Sequence, residues 1–238
     1  MYFRQIFLLA CLSAIVASLG FSLYQFYFVN PLIFAAELYE IAEPVAIDGT
    51  PQIETWTPSD AIERSFYTLL ANFLMSLAYS LLLACAMVFR GTSSTLKGIA
   101  WGMAAYLSFF VAPGLGLPPE IPGMEAADLN LRQNWWFLCV ILTAAGLAVF
   151  AFSPLYYKGA GLILVILPHL IAAPAAEIHG FSHPDPEAVA KLTELWQQFI
   201  LHSSIANALL WLIIGTTTGF LCHKFIDYNP DHYNSTFN

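Results

Sequence analysis

Charge is what this sequence lacks. Only 10% of its 238 residues are charged and 58% are hydrophobic, whereas an ordinary globular domain is about a quarter charged. Basic residues are the scarcest, eight Lys and Arg against sixteen Asp and Glu, which disfavours nucleic acid and other polyanions as partners. There is no G-x-x-x-x-G-K-[ST] loop to cradle nucleotide phosphates, so ATP hydrolysis by that machinery is excluded. H-E-x-x-H and G-x-S-x-G are also missing, and Ser, His and acid residues show no recognisable nucleophile context, so nothing asks for an enzyme. The four cysteines, Cys11, Cys85, Cys139 and Cys222, include no CxxC pair and fall in or at the ends of apolar runs. They read as buried packing residues rather than soft thiolate ligands, and no tightly bound cofactor is expected.

What the chain has instead is long apolar runs, with a mean hydropathy of +0.67. A bilayer core about 30 Å thick takes roughly 20 apolar residues per helix. Runs at about 4–28, 66–89, 98–113, 135–152, 159–178 and 199–222 meet or approach that length. They are continuous rather than alternating, which selects helices over barrel strands. The expectation is an all-α membrane protein, a polytopic bundle of about six transmembrane helices, with residues 1–238 forming one integral domain in the lipid bilayer. The first run follows Arg4 as a signal peptide would, but it is longer than a usual signal core and no convincing cleavage site follows. A retained span is expected, with five left if it is cleaved.

An N-terminus in the cytoplasm puts Arg4, Arg90, Lys97, Lys158 and Lys224 inside and Arg64, Arg132 and Lys191 outside, a modest positive-inside bias. Both termini are then cytoplasmic. Fourteen of the sixteen acids fall on the outer side, where they would concentrate cations through a field that salt screens.

Four of the six histidines, His169, His179, His183 and His202, cluster around the last two runs. With Glu177, Asp185 and Glu187 nearby in sequence, they offer the imidazole and carboxylate donors that suit Zn²⁺, Ni²⁺ or Co²⁺. Plainer readings stand beside this one. His169 would cap carbonyls loosened by Pro168 and Pro174, and His179 and His183 would be solvated in a loop broken by Gly180 and Pro184. Between Asn30 and Pro44, Glu37, Glu40 and Glu43 recur every third residue and would line one face of an interfacial helix, as cation contacts or simply wetted. Gly98–Gly102 and Gly215–Gly219 are GxxxG pairs that permit close helix approach. Trp135, Trp136, Tyr156 and Tyr157 fit interfacial aromatic belts.

Between the third and fourth runs lies GLGLPPEIPGMEAADLNLRQNWW, Gly114 to Trp136, with three prolines, three glycines and three acids. Pro118, Pro119, Pro122 and Gly123 predict non-helical backbone near the outer interface, tolerated only where protein or water covers it. It reads as a lid or vestibule, with Glu120 and Asp128 facing an ion path and Arg132 pairing an acid. Together with Q-x-x-x-x-N-P-L-I-x-x-A-E-x-Y-E (Gln25 to Glu40) and L-P-H-L-I-A-A-P (Leu167 to Pro174), this stretch resembles the CbtA family of probable cobalt-transporter subunits, small bacterial inner-membrane proteins. The resemblance implies cobalt uptake, often linked to cobalamin synthesis, with a small single-span CbtB-type subunit carrying a histidine-bearing end. It also implies Glu37, Glu40, Glu120, Asp128, Arg132 and His169 as site candidates. The family is usually described with five spans, one fewer than counted above.

These readings converge on transport of a divalent metal ion across the bacterial inner membrane, cobalt first and nickel or zinc as alternatives. Capture would occur at the acidic outer face, with His169, His179, His183, His202, Glu120, Asp128, Glu37 and Glu40 as candidate metal contacts. Two other classes compete. One is a non-transporting scaffold or assembly subunit. The other is a membrane-embedded enzyme using Glu120, Asp128 and Arg132, whose mark would be a lipid-facing apolar pocket beside those residues. Homo-oligomer formation is left open.

Overall fold

The computed structural model describes residues 2–39, 61–91, 94–176 and 180–226. Helix α1 (Tyr2–Tyr24) runs through a π turn (Gln25–Val29) into α2 (Asn30–Glu37). Then come α3 (Ala61–Phe89), α4 (Thr95–Tyr106), a second π turn (Leu107–Val111), α5 (Ala112–Gly116), α6 (Leu129–Phe152), α7 (Lys158–Leu170) and α8 (Pro186–Phe225). Among the described residues, five continuous helical stretches are long and apolar enough to cross a membrane: Phe3–Glu37, Ala61–Phe89, Thr95–Gly116, Leu129–Phe152 and Pro186–Phe225. The all-α membrane bundle is therefore the fold.

The run at 159–178 is where the structure departs from the helix count expected of the sequence. α7 has only 13 residues, about 20 Å at 1.5 Å per residue, too short for a core of about 30 Å. Pro168 occupies its last turns and Ile171 turns to extended backbone, and Pro174 disfavours a helical residue before it. The opened backbone is partly satisfied from α6, where Trp135 Nε1–H donates to the Ile171 carbonyl at 3.1 Å. Trp135 is itself buried at this contact. Just before α8, Phe181 pairs with Met124 in an isolated antiparallel bridge.

Each π turn precedes a proline, in Phe28-Val29-Asn30-Pro31 and Phe110-Val111-Ala112-Pro113. A proline inside a helix lacks an N–H and crowds the carbonyl four residues back. Widening one turn, with Asn30 N–H bonded to Gln25 O and Ala112 N–H to Leu107 O, carries the helix past the obstacle.

α8 is the hub, packed against α1, α3 and α4 around Phe21, Leu83, Met87, Leu210, Trp211 and Ile214. Its approach to α4 is glycine on glycine. A Cβ added at Gly98, Gly102, Gly215 or Gly219 would overlap backbone of the facing helix, so the two GxxxG pairs are each other's partners. Gly146 of α6 and Gly161 of α7 make a similar close contact. The α6–α7 hairpin joins the rest chiefly through the second π turn and α5, and elsewhere leaves a cleft between α3, α4 and α6. Of the cysteines expected to be buried, Cys139 and Cys222 are, whereas Cys85 is exposed.

The bundle has two chemically distinct ends. At one, α2, the 117–128 segment and the start of α8 share a small core of Ala36, Ile121, Leu192 and Leu195. At the other, Leu9, Cys222 and Ile226 pack together, near Arg4, Arg90, Lys97, Lys158 and Lys224 at the helix termini.

Candidate functional site

The 117–128 segment is a wedge fixed at the acid-rich end. Pro122 and Gly123 form the centre of a tight turn closed by Met124 N–H to Ile121 O at 3.3 Å. The φ of +85° at Gly123 is what the third position of a type II turn requires, after a proline at the second. Ile121, 4% exposed, enters the core shared with α2 and α8. Trp196 of α8 donates its indole N–H to the Pro119 carbonyl at 2.8 Å, so the irregular backbone is covered by protein, as its position demands.

Acids predicted to meet an ion are engaged with neighbours. Glu120 Oε2 lies 2.9 Å from Arg132 Nη2. Glu37 accepts from both terminal nitrogens of Arg64, the longer bond being 3.1 Å, while that guanidinium sits over the Phe34 ring at 4.6 Å. Asp128 caps α6 by accepting from Leu131 N–H at 3.0 Å. Asp185 caps α8, accepting from Glu187 N–H at 2.9 Å, and its own N–H donates to His183 Nδ1 at 3.0 Å. The described part of α2 ends at Glu37; Glu40, Glu43 and His179 lie outside the described residues. Among the described residues, no three His, Cys, Asp or Glu side chains converge to hold a metal ion.

His169 and His202 belong to different packing clusters. His169, in the last turn of α7, stands edge-on to Trp135 with ring centres 6.1 Å apart. His202 of α8 places Nδ1 2.9 Å from the Tyr24 hydroxyl and stacks on Phe28 at 5.4 Å. Tyr24 adjoins Gln25, and there a buried polar column begins. Asn72 Nδ2 donates to Ser22 Oγ at 2.9 Å and to Gln25 Oε1 at 2.6 Å.

α1 and α3 are antiparallel, so the Ser22–Asn72 contact sets a register that brings Ser18 level with Ser76 one turn further along. Ser80 follows one turn later, and near the opposite end Thr218 Oγ1 donates to Ser13 Oγ at 3.1 Å. The Ser76 and Ser80 hydroxyls are buried and have no hydrogen-bond partner among the described residues. From Gln25 to Ser13 the column covers about 18 Å at 1.5 Å per residue. The signal for this column in the sequence is the recurrence of Asn72, Ser76 and Ser80 at the four-residue spacing of one helix face inside an otherwise apolar run.

An acid-rich, capped end above a buried polar column, set in an apolar helical bundle, suits movement of a small cation. The profile of the family described as Probable cobalt transporter subunit (CbtA) matches residues 3–223. The chain belongs to the CbtA family. The match runs from α1 almost to the end of α8, so it takes in the wedge, the column and both histidine clusters. Membership makes the chain a membrane-embedded subunit of a metal transporter, and a subunit implies a partner. No curated protein and no solved structure matches the chain.

Proposed function

We propose that the chain conducts a divalent transition-metal ion, cobalt in preference to nickel or zinc, across the bacterial inner membrane. The ion enters from the acid-rich end, which faces the periplasm, and leaves at the basic end, which faces the cytoplasm with both termini. The observation that carries this reading is the column from Gln25, Ser22 and Asn72 down to the unpartnered Ser76 and Ser80 hydroxyls. A buried hydroxyl without a partner costs about 1–3 kcal/mol. Water or a partly dehydrated cation passing along the α1–α3 interface supplies the missing partner. Such oxygen sites are weak, which conduction requires.

Glu37, Glu40, Glu120, Asp128, His179 and His183 gather the ion at the entrance. His202 is the nitrogen ligand at the top of the column. When its Nδ1–H is donated to the Tyr24 oxygen, Nε2 keeps a lone pair for the metal and the tyrosine orients the ring. His169 packs on Trp135 instead, which favours a structural part for it. A small single-span CbtB-type subunit with a histidine-bearing end hands over the ion, and the membrane potential, a gradient or that partner drives it. The lipid-facing cleft lies at the basic end rather than beside Glu120, Asp128 and Arg132, which disfavours the membrane-enzyme reading.

The test is Co²⁺ entry into liposomes containing the chain and its partner, followed by quenching of an internal dye. Asn72→Leu and His202→Ala are each expected to slow entry at least about tenfold, roughly 1.4 kcal/mol on the barrier, with folding unchanged. Entry unaffected by both replacements would remove the column from the mechanism. No entry with the unaltered chain would leave a non-transporting assembly subunit.

A further inference from the structure

We infer that the cleft between α3, α4 and α6 binds an anionic phospholipid, one acyl chain lying in the cleft and the headgroup phosphate held by Arg90 and Lys97. The cleft is about 490 Å³, within the roughly 300–1,000 Å³ of ligand sites. Its walls are apolar and mix alanines from all three helices, Ala86, Ala104 and Ala148 among them, with the larger Leu82, Trp101 and Leu147. Arg90 and Lys97 are the two charged groups lining it. Neither is paired with an acid among the described residues. Both stand at the basic end, Arg90 just after α3 and Lys97 in the first turn of α4.

Arg90 is already oriented. Its guanidinium lies over the Phe152 ring at 4.1 Å, which occupies the face of the group and leaves the in-plane N–H donors for phosphate oxygens. The cleft ends near Ser108 and Phe109 of the second π turn, where Phe109 meets Trp136 of α6 edge-on at 6.0 Å. From Lys97 to Phe109 the helix rises about 18 Å, little more than one leaflet of a core about 30 Å thick. An apolar slot one leaflet deep, with unpaired cations at its mouth, has the shape and charge pattern of a phospholipid. Basic pockets between transmembrane helices are known to take anionic headgroups.

A partner's transmembrane helix fits less well. An apolar helix laid there would leave Arg90 and Lys97 without the anion that a phospholipid phosphate supplies. The assignment is also independent of the ion path, which runs between α1, α3 and α8.

Native mass spectrometry of the delipidated full chain, titrated with phosphatidylglycerol or with phosphatidylcholine of the same acyl chains, tests the proposal. One phosphatidylglycerol should be retained roughly 30-fold more tightly than phosphatidylcholine, as expected for two basic residues at a headgroup. The Arg90→Gln/Lys97→Gln variant should bind the two lipids alike. Ala148→Phe, which fills the cleft and keeps both cations, should lose the retained lipid, with circular dichroism confirming the fold of each variant. Equal affinity of the unaltered chain for the two lipids, or undiminished phosphatidylglycerol in both variants, would overturn the site. In the same measurement on the chain with its partner bound, loss of the partner but not of lipid on Ala148→Phe would assign the cleft to a helix instead.

Discussion

Gly98 of α4 and Gly215 of α8 face each other so closely that a Cβ on either would run into the carbonyl oxygen of the other. Apolar helices in lipid gain little from hydrophobic burial, so close backbone approach of this kind is what binds them. Gly215→Ala is therefore expected to push α4 off α8 at a cost of roughly 1–3 kcal/mol. For a chain of this size that lowers the thermal midpoint by roughly 2–4 °C per kcal/mol. Gly114→Ala makes the same chemical change where nothing lies within 4 Å of the new Cβ, and should leave the midpoint in place. Thermal unfolding in detergent, followed by circular dichroism, compares the two. Equal midpoints would show that the helices are held elsewhere.

Trp135 carries a different load. Its indole N–H meets the Ile171 carbonyl at 3.1 Å just where α7 stops being helical. Trp135→Phe keeps much of the ring volume but leaves that carbonyl without its donor, a loss of about 1–3 kcal/mol. The effect should be local. Hydrogen exchange is expected to quicken at residues 169–176 and to stay unchanged in α8, and uniform quickening through the bundle would contradict this account.

The helices and the polarity of the two ends were legible because lipid forces a spanning segment to satisfy its own backbone, which writes long apolar runs into the chain. The early end of α7 was less so. Hydropathy averages across Ile171, Ala172 and Ala173 as though they continued the helix, while Pro168 and Pro174 act through backbone geometry that an average does not see. Residue types at the site were visible, and so was Arg132 as the partner of an acid; the pairing of Glu37 with Arg64, 27 residues apart and on different helices, was not. The Asn72, Ser76 and Ser80 face went unread because small hydroxyls hardly disturb the hydropathy of their run. It becomes conspicuous only when α1 brings Ser22 against it.

The Glu120–Arg132 pair is about 30% exposed on each side, and partly exposed pairs contribute only about 0–1 kcal/mol to stability. Its larger effect should be on the ion. Glu120→Gln leaves Arg132, in the first turn of α6 beside the wedge, as an uncompensated cation that repels a divalent metal. Apparent affinity for Co²⁺ in liposome uptake is expected to fall more in Glu120→Gln than in the double variant Glu120→Gln/Arg132→Gln. If the double variant is as impaired as the single one, Glu120 acts as a metal contact and not by neutralising Arg132.

Salt separates the entrance from the column. Exposed acids attract a cation through water, and that field reaches about 10 Å at 0.1 M ionic strength but only about 3 Å at 1 M. Ser22, Asn72, Ser76 and Ser80 are buried, where screening by salt is weak. Raising salt from 0.1 M to 1 M should therefore raise the apparent KM for Co²⁺ several-fold and leave the maximal rate nearly unchanged. Asn72→Leu should do the reverse, lowering the maximal rate with little change in how KM responds to salt. An apparent KM indifferent to salt in the unaltered chain would mean that the acid-rich end does not gather the ion. Capture would then have to rest with the partner subunit.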